Sequence, residues 1–158
     1  MKEVSAGEIA KVSLFEGLPA EDLAALAIVA TRRRLADGEV LFAQGQPART
    51  LHVVVAGGLV LRAEADGRSV IVESLRPGDL VGWSAMREGA VTLSTARATG
   101  STEVIAIPVD TIVDLAAGGS RESAQLIRRI VGLAARHLEA SWDQLLQAGG
   151  NEGVISGG

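Results

Sequence analysis

The stretch "GDLVGWSAMREGAVTLSTARATG", Gly78 to Gly100, decides how this chain is read. Gly78 and Gly82 bracket the apolar pair Leu80 and Val81, a polar turn follows, and "LSTARA" then alternates like a strand. The rhythm is that of a phosphate-binding loop, where a strand ends at Gly and a turn of helix offers unpaired N–H groups and positive dipole to an anion. Between Asp79 and Arg97, however, the only charged residues are Arg87 and Glu88. A ligand here would meet Gly82, Trp83, the backbone of Ser84, Ala85 and Met86, the Arg87 guanidinium, and the segment Thr92, Leu93 and Ser94 with its two hydroxyls.

Outward from that loop, the chain passes through three regimes. Residues 1–30 show helical spacing: Ile9, Val12, Leu14 and Phe15, then "LPAEDLAALAIVA", where Pro19 suits a helix start and Leu23, Leu26 and Ala27 share a face. Residues 31–108 break into eight short segments, "RRRL", "EVLF", "LHVVVA", "LVLRAEA", "SVIVESL", "DLVG", "LSTARA" and "TEVIAIP". Turn chemistry at Gly38, Gly57 and Gly58, Asp66 and Gly67, and Pro77 and Gly78 separates them. The predicted fold is mainly β with flanking helices: an antiparallel eight-stranded β-roll, or double-stranded jelly roll, carrying the loop 78–100. Residues 109–147 predict a short helix at "VDTIVDLAA" and, after Gly118 and Gly119, a long one capped by Ser120 with Glu122 and Ser123 in its first turn. The Gly-rich tail 148–158 is expected to be disordered.

The long helix has two apolar seams. Ile127, Val131, Ala134, Leu138, Ser141 and Leu145 repeat at four and three; Ile130, Leu133, His137 and Trp142 form the other. One small roll cannot bury both, so one seam is expected on the roll and the other on a second copy, giving a homodimer through a parallel helix pair. Burial of both seams by the N-terminal helices is the alternative.

Composition narrows the function classes. The chain of 158 residues is 47% apolar but only 3% aromatic, and its formal charge is −4. That charge provides no basic face for nucleic acid, and the dense run Arg32 to Arg34 is expected at the solvent edge of a strand. Zero Cys removes thiol chemistry, the N-terminus lacks an apolar signal core, and no window reaches the ~20 apolar residues of a membrane span, so a cytoplasmic protein is expected. His52 and His137 are the only histidines and neither has a second at ligand spacing, so no metal site, cofactor or catalysis is expected.

Four blocks in order, "LFEGLPAEDLAAL", "DGEVLFAQGQPARTLHVVVAGGLVL", "LRPGDLVG" and "TARATGSTEVIAIP", resemble the cyclic nucleotide-binding domain family, which includes catabolite-activator-type regulators and kinase regulatory subunits. The resemblance spans Leu14 to Gln147 and implies that the Gly78–Gly100 loop is a phosphate-binding cassette. Nucleotide-binding members carry a Glu after the second Gly for the ribose hydroxyl and a later Arg for the phosphate; here those positions are Trp83 and Thr92. The resemblance therefore implies a stand-alone regulatory module with a degenerate cassette that signals through protein contacts, Trp83 either plugging the ribose space or stacking on a ligand ring. Alternatives are a cyclic AMP or cyclic GMP sensor with contacts displaced to Arg87, and a ligand-free dimerisation scaffold. A DNA-binding regulator is disfavoured because no helix-turn-helix pattern follows the long helix.

Overall fold

The computed structural model describes residues 3–155. Helices α1 (Ala6–Ala10) and α2 (Ala20–Val29) flank a 3₁₀ turn at Ser13–Phe15. Strands follow at β1 (Thr31–Leu35), β2 (Val40–Phe42), β3 (Thr50–Ala56), β4 (Leu59–Ala65), β5 (Arg68–Leu75), β6 (Leu80–Val81), β7 (Thr95–Ala98) and β8 (Thr102–Pro108). Helices α3 (Val109–Ala116) and α4 (Arg121–Ile155) complete the chain. All eight expected strand segments contribute to the fold, in two four-stranded sheets ordered β1-β8-β3-β6 and β2-β7-β4-β5. Every strand pairing is antiparallel.

Turn chemistry sets the register. Ala65 pairs with Arg68 across Asp66 and Gly67, whose φ values of 53° and 74° are the left-handed pair that a two-residue hairpin requires. The roll interior holds Leu35, Leu41, Val54, Leu59, Leu61, Leu75, Val81, Ala96, Ala98 and Val104. The first sheet also buries its outer face: Leu51, Val53, Leu80, Ile105 and Ile107 pack under Ile9, Leu14, Phe15, Leu26, Ile112 and Leu126 of the helices. Burial on both faces explains why "HVVV" and "VIAI" read as apolar runs rather than strict alternation.

Ser120 caps α4 as expected, its Oγ accepting from the Ser123 N–H at 3.0 Å, while the Ser123 hydroxyl donates to the Leu115 carbonyl of α3 at 2.8 Å. Arg129 binds the carbonyl of Glu16, fixing α4 to the segment after the first 3₁₀ turn. The roll-facing seam is anchored by Leu126, fully buried and absent from either seam assigned from the sequence, with Ile130 and Leu133 beside it. Trp142, assigned to that seam, is instead 61% exposed. At about 100° per residue Trp142 lies about 120° around the helix from Ile130, off the face that Ile130, Leu133 and His137 share. The helix also runs past Gln147 to Ile155, which corrects the expected disorder over 148–155; residues 156–158 lie outside the described residues. Gly149 and Gly150 cost about 1 kcal/mol each against Ala, but no Pro follows to stop a helix already propagating.

The basic run lies on the edge strand β1 with Arg33 and Arg34 exposed, as expected, and only Arg32 is drawn inward. Arg32 has a side chain only 9% exposed and pairs with both Glu8 and Glu103; Arg34 reaches Glu103 at 3.3 Å, and Arg33 donates to the carbonyls of Val40 and Leu41. The Ser5 N–H and Arg32 hold the Glu8 carboxyl down to about 2, and Arg32 lowers that of Glu103. A depressed folded-state value means that this stabilisation is complete above about 4.5 and is lost as pH falls through about 2. Arg32→Gln is expected to lower the melting temperature at neutral pH, with the gap from wild type narrowing as the pH falls below about 4.5, in thermal melts recorded across that range.

Candidate functional site

Strand β6 ends at Gly82, where φ is 100° and an added Cβ would lie 2.4 Å from the Thr50 carbonyl oxygen of β3. Only Gly passes this close to a neighbouring backbone. The chain then makes a single 3₁₀ turn, Trp83–Met86, in which the Ala85 N–H already bonds the Gly82 carbonyl at 3.0 Å. One of the three backbone donors expected to face an anion is therefore engaged. Ala85 is buried and Met86 packs on the helix-covered core, while Arg87 is exposed at the start of the following turn.

The far side of the cassette is knitted to residues 43–48. Ala48 N–H bonds the Ala90 carbonyl at 2.9 Å, Thr92 N–H bonds the Gln46 carbonyl at 2.8 Å, and Gly45 N–H bonds the Thr92 carbonyl at 2.8 Å. The Thr92 hydroxyl adds to this ladder, donating to the Ala43 carbonyl at 2.5 Å and accepting from the Gln46 N–H at 3.0 Å. Thr92 is buried and lies outside β7, which begins at Thr95, so it is a tie between two loops and not the solvent-facing strand residue that its type suggests.

These segments enclose a cavity of 260 Å³. Six of the nine cassette candidates line it: Gly82, Trp83, Ser84, Thr92, Leu93 and Ser94. Ala85, Met86 and Arg87 do not, because the 3₁₀ turn directs them to the core or to water. Phe42, Leu61 and Val81 add apolar wall, and His137 enters from α4. Trp83 forms one wall of this cavity and also borders a second cavity of 420 Å³ between the roll and α4, together with Leu133 and Arg136. Thus the cavity beside Trp83 is open yet mainly hydrocarbon, with no Lys, Arg, Asp or Glu among its lining residues.

His137 was not assigned to the site from sequence, and only its place one turn beyond Leu133 on the roll-facing seam hints at it. Its Nε2 lies 3.2 Å from Glu73 Oε2 of β5, an electrostatic approach without the alignment of a hydrogen bond. Burial pushes the Glu73 carboxyl up, and His137 opposes that shift. On the roll-interior face of β3, His52 packs its ring 5.8 Å from that of Phe42, and burial with the nearby Arg33 lowers its imidazole to about 4. His52 is consequently neutral at physiological pH. Among the described residues there is no group of three His, Asp or Glu placed to hold a metal ion, and no helix is long and apolar enough to cross a membrane.

A family model, the cyclic nucleotide-binding domain, matches residues 32–118, which include the roll and the whole cassette. The chain belongs to this family. A cyclic nucleotide-binding-like protein from Brucella abortus is 32% identical at a TM-score of 0.58, over 69% of this chain and 94% of that one. A cyclic nucleotide-binding domain from Methylobacillus flagellatus superposes at a TM-score of 0.73, over 89% of this chain and 79% of that one, and its 17% identity shows the fold alone. A cAMP-dependent protein kinase regulatory subunit from Mycosarcoma maydis is 26% identical over 131 residues, 83% of this chain. The chain spans about a quarter of the length of that relative, 24%. In this chain Gly82 and the Thr92 ladder shape the backbone around the cavity, and the side chains of Trp83, Ser84, Leu93 and Ser94 line it.

Thr92→Val keeps the shape and removes the hydroxyl, leaving the Gln46 N–H and the Ala43 carbonyl only the long 3.4 Å bond they make to each other. It is expected to cost about 1–3 kcal/mol in urea unfolding, with Thr92→Ser retaining most of the stability. An unchanged midpoint for Thr92→Val would show that the tie contributes nothing.

Proposed function

We propose that this chain is a regulatory module whose cassette is degenerate: it keeps the backbone frame of a cyclic nucleotide site and lacks the side chains that read the nucleotide. The observation that carries this is the cavity wall, which has no Lys or Arg for a phosphodiester and whose one basic side chain, His137, stands against Glu73; Arg87 lies outside it and the Thr92 hydroxyl is engaged with backbone. Each missing charge-assisted contact is worth about 1.5–3 kcal/mol, so two reduce affinity by roughly two to four orders of magnitude. The module has no catalytic role in this proposal and works in the cytoplasm through protein contacts. A cyclic nucleotide sensor with displaced contacts is the second reading, supported by the open space beside Trp83 and by the Ser84 and Ser94 hydroxyls that line it.

The output surface is α4. Ile127, Val131, Leu138 and Leu145 are 46%, 61%, 68% and 65% exposed, and Ala134 is exposed between them. Spaced at four and three, they match the a and d positions of a coiled coil, with Val131, Leu138 and Leu145 at a and Ile127 and Ala134 at d. A homodimer through this stripe would cover it and leave the opposite seam on the roll.

Isothermal titration of the wild type with cyclic AMP and with cyclic GMP is expected to show no saturable heat in the micromolar range; micromolar binding of either overturns the degenerate cassette in favour of the displaced-contact sensor. In sedimentation equilibrium the wild type is expected to be a dimer and Leu138→Glu a monomer with an intact roll. A monomeric wild type would remove the stripe from the proposal.

A further inference from the structure

We infer that the cavity walled by Trp83 takes a small, uncharged, ring-bearing ligand, with α4 supplying one side of the site through His137. This rests on the degenerate-cassette reading and names the ligand class that such a cassette would accept. The volume of 260 Å³ falls just below the ~300–1,000 Å³ of ordinary small-molecule sites, which suits one or two fused rings. Leu61 and Val81, both buried, and Phe42 present hydrocarbon on one side, and the Trp83 indole gives a flat aromatic wall.

Polar groups in the wall are few and neutral. The Ser84 and Ser94 hydroxyls make no hydrogen bond among the described residues, so each can donate to or accept from a ligand. The Thr92 hydroxyl, by contrast, is held by Ala43 and Gln46. Of the ten lining residues His137 is the one ionisable side chain, and its Nε2 lies 3.2 Å from Glu73 Oε2, so an acidic partner already stands against it. Arg136 and Asp79 line the neighbouring cavity under α4, which His137 also borders, and not the cavity beside Trp83. An anion would therefore lose its hydration without meeting an uncompensated cation, whereas a flat neutral ring would exchange water for aromatic and aliphatic contact.

The test is amide NMR on the full chain, titrated separately with indole, indole-3-carboxylate and cyclic AMP. Indole is expected to shift the signals of Gly82, Ser84, Ser94 and His137 saturably, and indole-3-carboxylate to bind at least about tenfold more weakly, the loss expected from one uncompensated charge. Ser94→Trp, which fills the cavity, is expected to abolish the indole response. The gentler Ser94→Ala is expected to weaken it by about twofold to tenfold through loss of one hydrogen bond. Indole shifts confined to the exposed α4 stripe, survival of the response in folded Ser94→Trp, or equal binding of the carboxylate would overturn the inference. If neither indole nor cyclic AMP binds, the inference falls while the degenerate cassette stands; if cyclic AMP binds in the micromolar range, that reading falls as well.

Discussion

The sheet β1-β8-β3-β6 carries apolar side chains on both faces, and since neither face can be left in water, the second sheet must close over one and the helices must dock on the other. Val54 and Val104 point into the roll; Leu51, Val53, Ile105 and Ile107, neighbours on the same strands, point under the helices. The cassette sits where these two packing layers meet. Gly82 crosses against the Thr50 carbonyl at the start of β3, so the direction of the chain entering the cassette is set by the doubly buried sheet. The position of α4 is set from the same sheet through Leu126, whose burial beside Ile112 and Phe15 brings His137 three turns later to the cavity wall.

On the proposed reading, two properties that a phosphate-binding cassette combines are separated in this chain. The backbone frame depends on a glycine, a 3₁₀ turn and the ladder between residues 43–48 and 90–92, none of which needs a charged side chain. Reading a nucleotide depends on charges that the frame merely positions. Here the residue after Gly82 is an indole, and the position across the cavity holds a hydroxyl whose partners are carbonyl and N–H groups of the adjacent loop. A hydroxyl tie of this kind strengthens the frame while placing no Lys or Arg in the cavity wall. The stability of the cassette and its ligand chemistry can therefore change independently of each other.

Much of the fold was legible because turn residues punctuate it: Asp66 with Gly67, and Pro77 with Gly78, require specific backbone conformations whatever the tertiary context. The exposed stripe from Ile127 to Leu145 was legible for a similar reason, since helical spacing alone puts those side chains on one face. The site was only partly legible. His137 is far along the sequence from Trp83, and nothing local to either residue records that α4 lies over the cassette. Thr92 looks like an ordinary strand threonine until the loop at Ala43 and Gln46 is folded against it. Arg32 likewise belonged to what read as an exposed basic run, and its burial depends on Glu8 arriving from α1. The long continuation of α4 beyond Gln147 was masked by glycines, which weaken a helix without ending it.

The claim at the centre of this structure is that the frame is intact and only the reading side chains are absent. The most direct measurement is isothermal titration of the Trp83→Glu, Thr92→Arg double variant with cyclic AMP, with a thermal melt of the same preparation because the Thr92 tie is lost. The expected result is a folded protein with micromolar binding that the wild type lacks. A folded double variant that still binds no cyclic nucleotide would contradict the claim, since the frame itself would then be unable to hold the ligand.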